Sequence, residues 1–236
     1  DFGQGALLVD LGLDTASDRA ARTHRAAALL RAALPAADVV IGAGTVLVEG
    51  ASREAVAAAL AGAEGEALAP TETREHAIAA VYDGPDLEAA AAALGLTREA
   101  LIARHAGQLY TAELLGFLPG FAYLGGLDPG LILPRRPAPR PVVAPGSIGI
   151  AGDFTGIYPF ASPGGWNLIA RALDARLFDP TRDPPSLIQP GDRLRFVPSV
   201  DPGPAPAAPV EAAAPAASRR ALRVMAAHAV VTVQDE

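Results

Sequence analysis

The chain has 236 residues, half of them hydrophobic, and a net charge of −7 at pH 7. It contains no cysteine and its 19 basic residues are all arginine, which excludes disulfides, thiolate nucleophiles, cysteine metal sites, a P-loop lysine and a biotinyl-lysine. The acidic balance argues against nucleic-acid binding, and no apolar run reaches the roughly 18 residues that span a bilayer. The four histidines form no close pair, so we expect no metal site. We expect a cytoplasmic protein.

The first 83 residues alternate between strand-like and helix-like segments. In chain order the patterns predict a strand at residues 6–11, a helix at 17–34, a hairpin at 39–48, a helix at 52–61 and a strand at 77–82. Ser17 and Ser52 stand where an N-cap side chain would begin each helix. This order is that of the split βαβ unit, so residues 1–83 are predicted to form a small ferredoxin-like α/β domain.

The pattern of apolar, glycine and proline residues changes after residue 83. Two short helices are predicted at residues 86–93 and 97–105. Short apolar runs separated by glycine and proline follow up to residue 197, and helical periodicity is confined to residues 166–172. Many short strands with Gly/Pro turns indicate a β-barrel over residues 84–200, which makes the expected fold class α+β.

The end of the chain differs again in composition. Residues 201–218 are rich in proline and alanine, which predicts a semi-rigid linker. Residues 219–236 return to strand-like patterns. The chain begins at Asp1 and its one methionine is Met225. We therefore expect a piece of a longer protein, in which a further domain begins at residue 219.

Two glycine-rich stretches are candidates for chemistry. Residues 116–126 combine glycines with the aromatic residues Phe117, Phe121 and Tyr123, and aromatics beside glycines can line a binding site. Residues 145–152, PGSIGIAG, could cradle an anion with backbone N–H groups. The alternative for both stretches, and the favoured one from the pattern alone, is an ordinary tight turn of a barrel with aromatics in the core.

Other candidates lie between and after these stretches. Trp166, the one tryptophan, follows Gly164 and Gly165, and is either a ligand platform or a core residue. Three arginines share one loop, and one of them could hold a carboxylate or phosphate, or be a solvated charge; they are Arg135, Arg136 and Arg140. His24, His76 and His105 are expected to be structural.

Several rare motifs occur in a fixed order, namely GFLPGFAYLGGLDP, PGSIGIAG, TGIYP, SPGGWNLIAR, LFDP and PGDRLRFVP. Together they resemble one family, allophanate hydrolase subunit 1, which corresponds to subdomains C and D of a carboxyltransferase domain. Its members include the B-type subunit of 5-oxoprolinase and the Kip-type inhibitor of a sporulation histidine kinase. The resemblance covers residues 2–198. Residues 222–235 resemble the opening of the companion family, allophanate hydrolase subunit 2, which implies a natural fusion of the two.

The resemblance implies a cyclophilin-like β-barrel in the second domain. It also implies a component of ATP-dependent 5-oxoprolinase, which converts 5-oxo-L-proline to L-glutamate and is inactive without its partners. Those partners would be the C-type subunit, fused in cis, and the A-type subunit. ATP and Mg²⁺ would bind at the assembled complex, and no cofactor would bind this chain alone. Two alternatives stay open: the carboxyltransferase of a biotin-dependent urea system, with biotin on another domain, and a kinase inhibitor.

Both implied reactions make a carbonyl more anionic, so the site needs preorganised hydrogen-bond donors. The catalytic candidates are Tyr123 and Arg140, aided by the backbone amides of residues 146–152. Asp153 and Phe154 depart from the family, which often has Asn-Gln at these positions. The expected substrate-binding residues are Gly120, Phe121, Tyr123, Arg140, Gly146, Ser147, Gly149, Ala151, Thr155, Tyr158, Gly164 and Trp166.

Overall fold

The computed structural model describes residues 5–13, 18–61, 73–173 and 176–201. The helices are α1 (Arg19–Ala33), α2 (Arg53–Ala61), α3 (Leu87–Ala93) and α4 (Arg98–Ala106). The strands are β1 (Ala6–Asp10), β2 (Asp38–Ile41), β3 (Thr45–Glu49), β4 (Glu75–Val81), β5 (Tyr110–Leu115), β6 (Ala122–Gly125), β7 (Arg140–Val143), β8 (Ser147–Ala151), β9 (Phe154–Ile157), β10 (Ser162–Gly164), β11 (Asn167–Ala172) and β12 (Arg193–Pro198). Ser17, the linker after Asp201 and the further domain expected from residue 219 lie outside the described residues.

The first unit is a three-stranded antiparallel sheet in the order β1-β3-β2. Side chains alternate between its two faces because the strand period is two residues, and Val46 and Val48 of β3 pack with Leu30 of α1 and Val56 of α2. The pairing of β2 with β3 confirms the hairpin predicted at residues 39–48. One face of the sheet is thus covered by the two helices that the periodicity predicts.

Strand β4 does not complete this sheet. It pairs in parallel with β12 over six residues and in antiparallel with the end of β11. The ferredoxin-like unit predicted for residues 1–83 therefore lacks its last strand, and the barrel begins at β4, before the predicted boundary. The reason is that alternating burial, with Ile78 and Ala80 inward, identifies a strand without identifying its partner.

The second unit is a closed barrel with strand order β11-β4-β12-β5-β6-β9-β8, which confirms the mixed α+β class and the barrel. Its interior is filled mainly by aliphatic side chains with few aromatics, as the composition requires. Leu87 of α3 and Leu101 of α4 are buried in the same core. Both helices lie within one residue of their predicted bounds, which confirms the two predictions. Strands β7 and β10 form a separate two-stranded ribbon.

Residues 166–172, where the sequence shows helical periodicity, contain β11 rather than a helix. Leu168, Ile169 and Ala170 are consecutive and all buried. Ile169 and Ala170 belong to the core that also holds Leu87 of α3, whereas Leu168 packs in the cluster of Phe121 and Trp166. A strand buried on both faces gives a continuous apolar run, and such a run cannot be distinguished from a helix by periodicity alone.

Within the described ranges, no helix has the length and hydropathy that a membrane crossing requires.

Candidate functional site

A cleft of about 120 Å³ opens on the barrel where the β5–β6 and β9–β10 connections approach the β10–β11 connection. It brings together a subset of the predicted site, namely Phe121, Tyr123, Tyr158, Gly164 and Trp166. Four further residues complete its lining, namely Phe117, Arg135, Pro163 and Gly165. We call these nine residues the aromatic cleft.

Phe121 is the centre of the aromatic packing. Its ring lies edge-to-face with those of Phe117, Tyr123, Tyr158 and Trp166, at centroid distances between 5.1 and 5.5 Å. This geometry is favourable because the positive ring edge meets the negative ring face. Phe121 is only 1% exposed, so the walls are fixed from behind by a buried side chain.

Two phenols supply hydrogen-bonding groups to the aromatic cleft. Burial raises the pKa of Tyr123 and of Tyr158 above the ordinary phenol value, so both hydroxyls are protonated at neutral pH and can donate to a ligand. The backbone of Trp166 lies within reach of the Tyr158 hydroxyl and opposes this rise of the Tyr158 pKa. A Cβ on Gly164 would collide with that hydroxyl, which explains why a glycine stands at this position.

Arg135 contributes the positive charge of the aromatic cleft. It is exposed, and no described side chain forms an ion pair with its guanidinium. Its charge opposes the effect of burial on the pKa of Tyr123 and Tyr158, which places it within electrostatic reach of both phenols. A guanidinium beside neutral phenol donors suits a small ligand that carries a carboxylate and a carbonyl.

Arg140, a predicted catalytic residue, does not line the cleft. Its Nη2 donates to Oδ1 of Asp86 at 2.6 Å, and Nη1 of Arg136 donates to the same oxygen at 2.8 Å. The other oxygen of Asp86 accepts from the Leu168 amide at 2.7 Å. Arg140 is the first residue of β7. It therefore joins this strand to Asp86 at the start of α3 and, through Asp86, to β11, which is a structural role. The sequence places three arginines in one loop and does not indicate which of them faces the cleft.

The anion cradle expected at residues 146–152 is not formed. The Gly146 amide donates to the Tyr158 carbonyl at 2.7 Å, the Ser147 amide to Ala144 at 3.2 Å and the Gly152 amide to Leu133 at 2.6 Å. Strand β8 between them pairs with β9 on one side and β11 on the other. These amides are committed to the barrel, because a central strand of a closed barrel has no unpaired edge.

The remaining predicted site residues also have structural positions. Gly149 allows close packing, since a Cβ there would lie 3.0 Å from the Cβ of Trp166. Ala151 is buried at the end of β8, beside Phe121 and Trp166 in the same cluster. Gly120 has a φ of 81°, and a Cβ on it would press on Phe178.

Thr155 lies inside the barrel in a chain of hydrogen bonds. The Tyr82 hydroxyl lies 2.7 Å from Nδ1 of His105, and Nε2 of His105 lies 2.9 Å from Oγ1 of Thr155. The Thr155 hydroxyl donates to the Gly149 carbonyl at 3.0 Å, so it accepts from Nε2–H. Burial lowers the pKa of His105 to about 3, so the ring is neutral and the chain of bonds is structural.

Four residues of the cleft were not among the predicted site residues, namely Phe117, Arg135, Pro163 and Gly165. The sequence offered Arg135 beside Arg136 and Arg140, and the catalytic candidate taken from these three was Arg140, because only the position of Arg135 in space distinguishes it. Phe117 has a φ of 67°, a left-handed conformation that is strained for a bulky side chain. No described group of three or more His, Asp or Glu side chains could hold a metal ion.

The comparisons with known proteins agree with this architecture. The 5-oxoprolinase B-type subunit of Escherichia coli O157:H7 is 49% identical over 138 residues, which are 57% of this chain and 62% of that protein. The crystal structure of TTHA0988 matches with a TM-score of 0.71 at 38% identity, over 84% of this chain and 40% of that chain. The chain thus spans less than two thirds of the length of each of these relatives.

A more distant likeness concerns the fold alone. The urea amidolyase of K. lactis matches with a TM-score of 0.65 at 19% identity, over 82% of this chain and 14% of that chain. The family described as carboxyltransferase domain, subdomain C and D, matches residues 1–188. That match covers most of the sequence and both units of the fold. The chain belongs to the carboxyltransferase domain family, subdomain C and D.

Proposed function

We propose that the chain is the B-type component of an ATP-dependent 5-oxoprolinase, which converts 5-oxo-L-proline, ATP and water to L-glutamate, ADP and phosphate. The observation that carries this proposal is the aromatic cleft, where Arg135 and two neutral phenols face one small space walled by aromatic rings. The 49% identity to a protein named as the B-type subunit of 5-oxoprolinase supports it.

The chemistry of 5-oxo-L-proline fits the groups of the cleft. The substrate is a small ring that carries one carboxylate and one lactam carbonyl. Arg135 would hold the carboxylate, and the aromatic faces would enclose the ring. The Tyr123 hydroxyl would donate to the lactam oxygen, where negative charge develops as water or an activating group attacks the carbonyl. Tyr123 therefore keeps its proposed catalytic role, while Arg135 takes the place of Arg140.

The described residues do not fit ATP or Mg²⁺. They contain no Walker loop, the chain has no lysine to contact phosphates, and no described carboxylates are grouped for a divalent ion. We therefore assign the nucleotide to the assembled complex, and no step of the reaction on this chain is derived through it. The chain alone is expected to be inactive.

Partner subunits would cover the mouth of the cleft. Phe117 at its rim is 57% exposed, and an exposed aromatic beside a site is typical of a surface that another chain covers. We propose that the C-type subunit does so, fused in cis as residues 222–235 suggest, with an A-type subunit completing the enzyme. A fused partner acts at a high effective concentration.

The alternatives rank below this proposal. A carboxyltransferase that moves a carboxyl group from biotin to urea has the support of a fold likeness at 19% identity, and fold does not fix function. A kinase inhibitor has no observation in its favour among the described residues beyond the family itself.

The test is release of glutamate from 5-oxo-L-proline by the full-length protein with its C-type and A-type subunits and ATP–Mg²⁺. Phosphate is followed in parallel. We expect glutamate and phosphate to form in step, and only when every component is present. A folded, complete complex that releases no glutamate would contradict the proposal, and carboxybiotin with urea would then be the next substrate pair.

A further inference from the structure

Arg19, the first residue of α1, connects the first unit to the barrel. Its Nε and Nη2 donate to the two carboxylate oxygens of Glu113 in β5, at 2.6 and 2.9 Å. Its Nη1 lies 2.7 Å from Oδ2 of Asp153, in the turn between β8 and β9. Arg19 is 8% exposed and Glu113 6% exposed, so this is a buried ion pair with two-point geometry.

The barrel is shaped to hold the Glu113 carboxylate in this position. The register of β5 against β6 shifts between Ala112 and Leu114, so Glu113 is the extra residue of a β-bulge. Bulges redirect a side chain from the regular alternation. Gly125 of β6 pairs with Thr111 and lies against the Glu113 side chain, because a Cβ on Gly125 would collide with the Glu113 carboxylate. The bulge and the glycine together make room for the carboxylate that Arg19 binds.

The same guanidinium contacts a ring that touches the aromatic cleft. The central carbon of Arg19 lies 4.8 Å from the centroid of the Phe154 ring, a distance typical of a cation–π contact. Phe154 in turn packs edge-to-face on Tyr123 at 5.6 Å, and Tyr123 packs on Trp166 at 5.7 Å. A continuous series of contacts therefore runs from α1 to the wall of the cleft.

We propose that Arg19 is a positioning residue for the cleft: by binding Glu113 and the Asp153–Phe154 turn, it holds Phe154 against Tyr123. The first unit thereby sets the shape of a site to which it contributes no lining residue. This inference concerns the cleft and not its ligand, so it stands independently of the proposed function.

Trp166 reports on the cleft directly, because it is the one tryptophan of the chain, lines the cleft and is 6% exposed. In the full-length chain, Arg19→Gln and Phe154→Leu are each expected to shift its fluorescence emission to longer wavelength and to raise its quenching by acrylamide. The matched control is Arg22→Gln, an exposed arginine on the next turn of the same helix, which leaves both signals at the wild-type value. The emission shift and the quenching of the double variant are expected to be no larger than those of either single variant, because both substitutions act on one series of contacts.

The result that overturns the proposal is a folded Arg19→Gln protein, verified by far-UV circular dichroism, whose Trp166 signals equal those of Arg22→Gln. If Arg19→Gln fails to fold, Arg19→Lys decides instead. It keeps a cation beside Glu113 and lacks the planar guanidinium over Phe154. Unchanged Trp166 signals in Arg19→Lys overturn the proposal, and a red shift with increased quenching supports it.

Discussion

Phe117 shows at the scale of one residue how the cleft depends on unusual geometry. It is the only non-glycine residue with a positive φ among the described residues, and its φ is 67°. Its ring is 57% exposed, yet it contacts Phe121 and Tyr158 edge-to-face. Burial of the ring does not compensate for the backbone strain, and this observation motivates the proposal that Phe117 contacts the ligand.

We expect Phe117→Gly to weaken substrate binding and to leave the stability of the fold nearly unchanged. Relief of the left-handed strain, about 1–2 kcal/mol, offsets the lost ring contacts and the added backbone entropy. The free energy of unfolding, measured with urea, therefore stays within about 1 kcal/mol of the wild-type value, while KM for 5-oxo-L-proline in the assembled enzyme rises. Phe160→Ala, at an exposed ring outside the cleft, serves as the control. An unchanged KM for Phe117→Gly would remove Phe117 from the site.

His105 is expected to make the stability of the barrel depend on pH. Its pKa is about 3 in the folded chain, lowered by burial from 6.5. The unfolded chain therefore binds a proton near pH 6.5 that the folded chain does not bind until about pH 3. The stabilisation is fully present above pH 6.5 and is lost as pH falls, at about 1.4 kcal/mol per pH unit inside this window.

Urea unfolding of the wild type and of His105→Gln between about pH 7 and about pH 5 measures this effect. The wild type should lose more free energy of unfolding than the variant over that interval, because the other titrating groups are common to both proteins. Equal pH dependence in the two proteins would show that His105 is protonated inside the fold.

The sequence predicts part of the cleft at the scale of residues. Phe121, Tyr123 and Trp166 belong to rare combinations of aromatics with glycine and all line the cleft, although the pattern alone favoured an ordinary barrel turn with aromatics in the core. Arg135 could not be chosen over Arg140 from the sequence, because Arg136 and Arg140 both bind Asp86, which lies 50 and 54 residues away from them in the chain, and no local pattern shows such a contact. The glycine stretch at residues 146–152 was misleading, because glycines that permit close strand packing look the same as glycines that expose amides.

The loop before β7 leads to a prediction at the scale of elements. Arg140→Gln removes a charged hydrogen bond to the buried Asp86 and should cost about 1.5–3 kcal/mol of unfolding free energy, with little change in KM. Arg135→Gln should do the opposite, raising KM about tenfold or more while leaving stability unchanged. Urea unfolding measures the unfolding free energy of both variants, and steady-state kinetics of the assembled enzyme measures their KM. A KM effect of Arg140→Gln in a stable protein would restore Arg140 to the site.

Strand β4 gives a second prediction at this scale, because the barrel closes only with its six-residue pairing to β12. A fragment of residues 73–201 should fold cooperatively, and a fragment of residues 84–201 should not. Both fragments carry Glu113→Gln, so that no carboxylate is left buried without Arg19. Thermal melts followed by circular dichroism compare them. Cooperative folding of the shorter fragment would return the boundary to residue 84.

Elements were predictable from the sequence where a local signal exists. Thr97 caps α4 through its side chain and the Ala100 amide, and the apolar periodicity of α1 and the β2–β3 hairpin are equally local. The partner of β4 is not local, since it lies more than a hundred residues away in β12. The strand character of β11 was hidden because burial on both faces removes the alternation that marks a strand.

At the scale of the whole molecule, the chain is a site-bearing barrel with a smaller α/β unit fixed to it. The cleft lies on the barrel, the Arg19 contact comes from the α/β unit, and the nucleotide chemistry is assigned to partner subunits. This proposed division explains a chain that carries a candidate binding cleft and, among its described residues, no recognisable phosphate site. The proposed function depends above all on one contact, in which Arg135 of the aromatic cleft binds the substrate carboxylate.

The most direct test of that contact is a titration of the assembled, nucleotide-free complex with 5-oxo-L-proline. Calorimetry follows complexes that carry the wild-type chain, Arg135→Gln or the control Arg22→Gln. We predict saturable binding by the wild type and the control, and a Kd about tenfold or more higher for Arg135→Gln, the loss expected for one charged hydrogen bond. Equal affinity of the wild type and Arg135→Gln would contradict the proposed contact and would place the substrate outside the aromatic cleft.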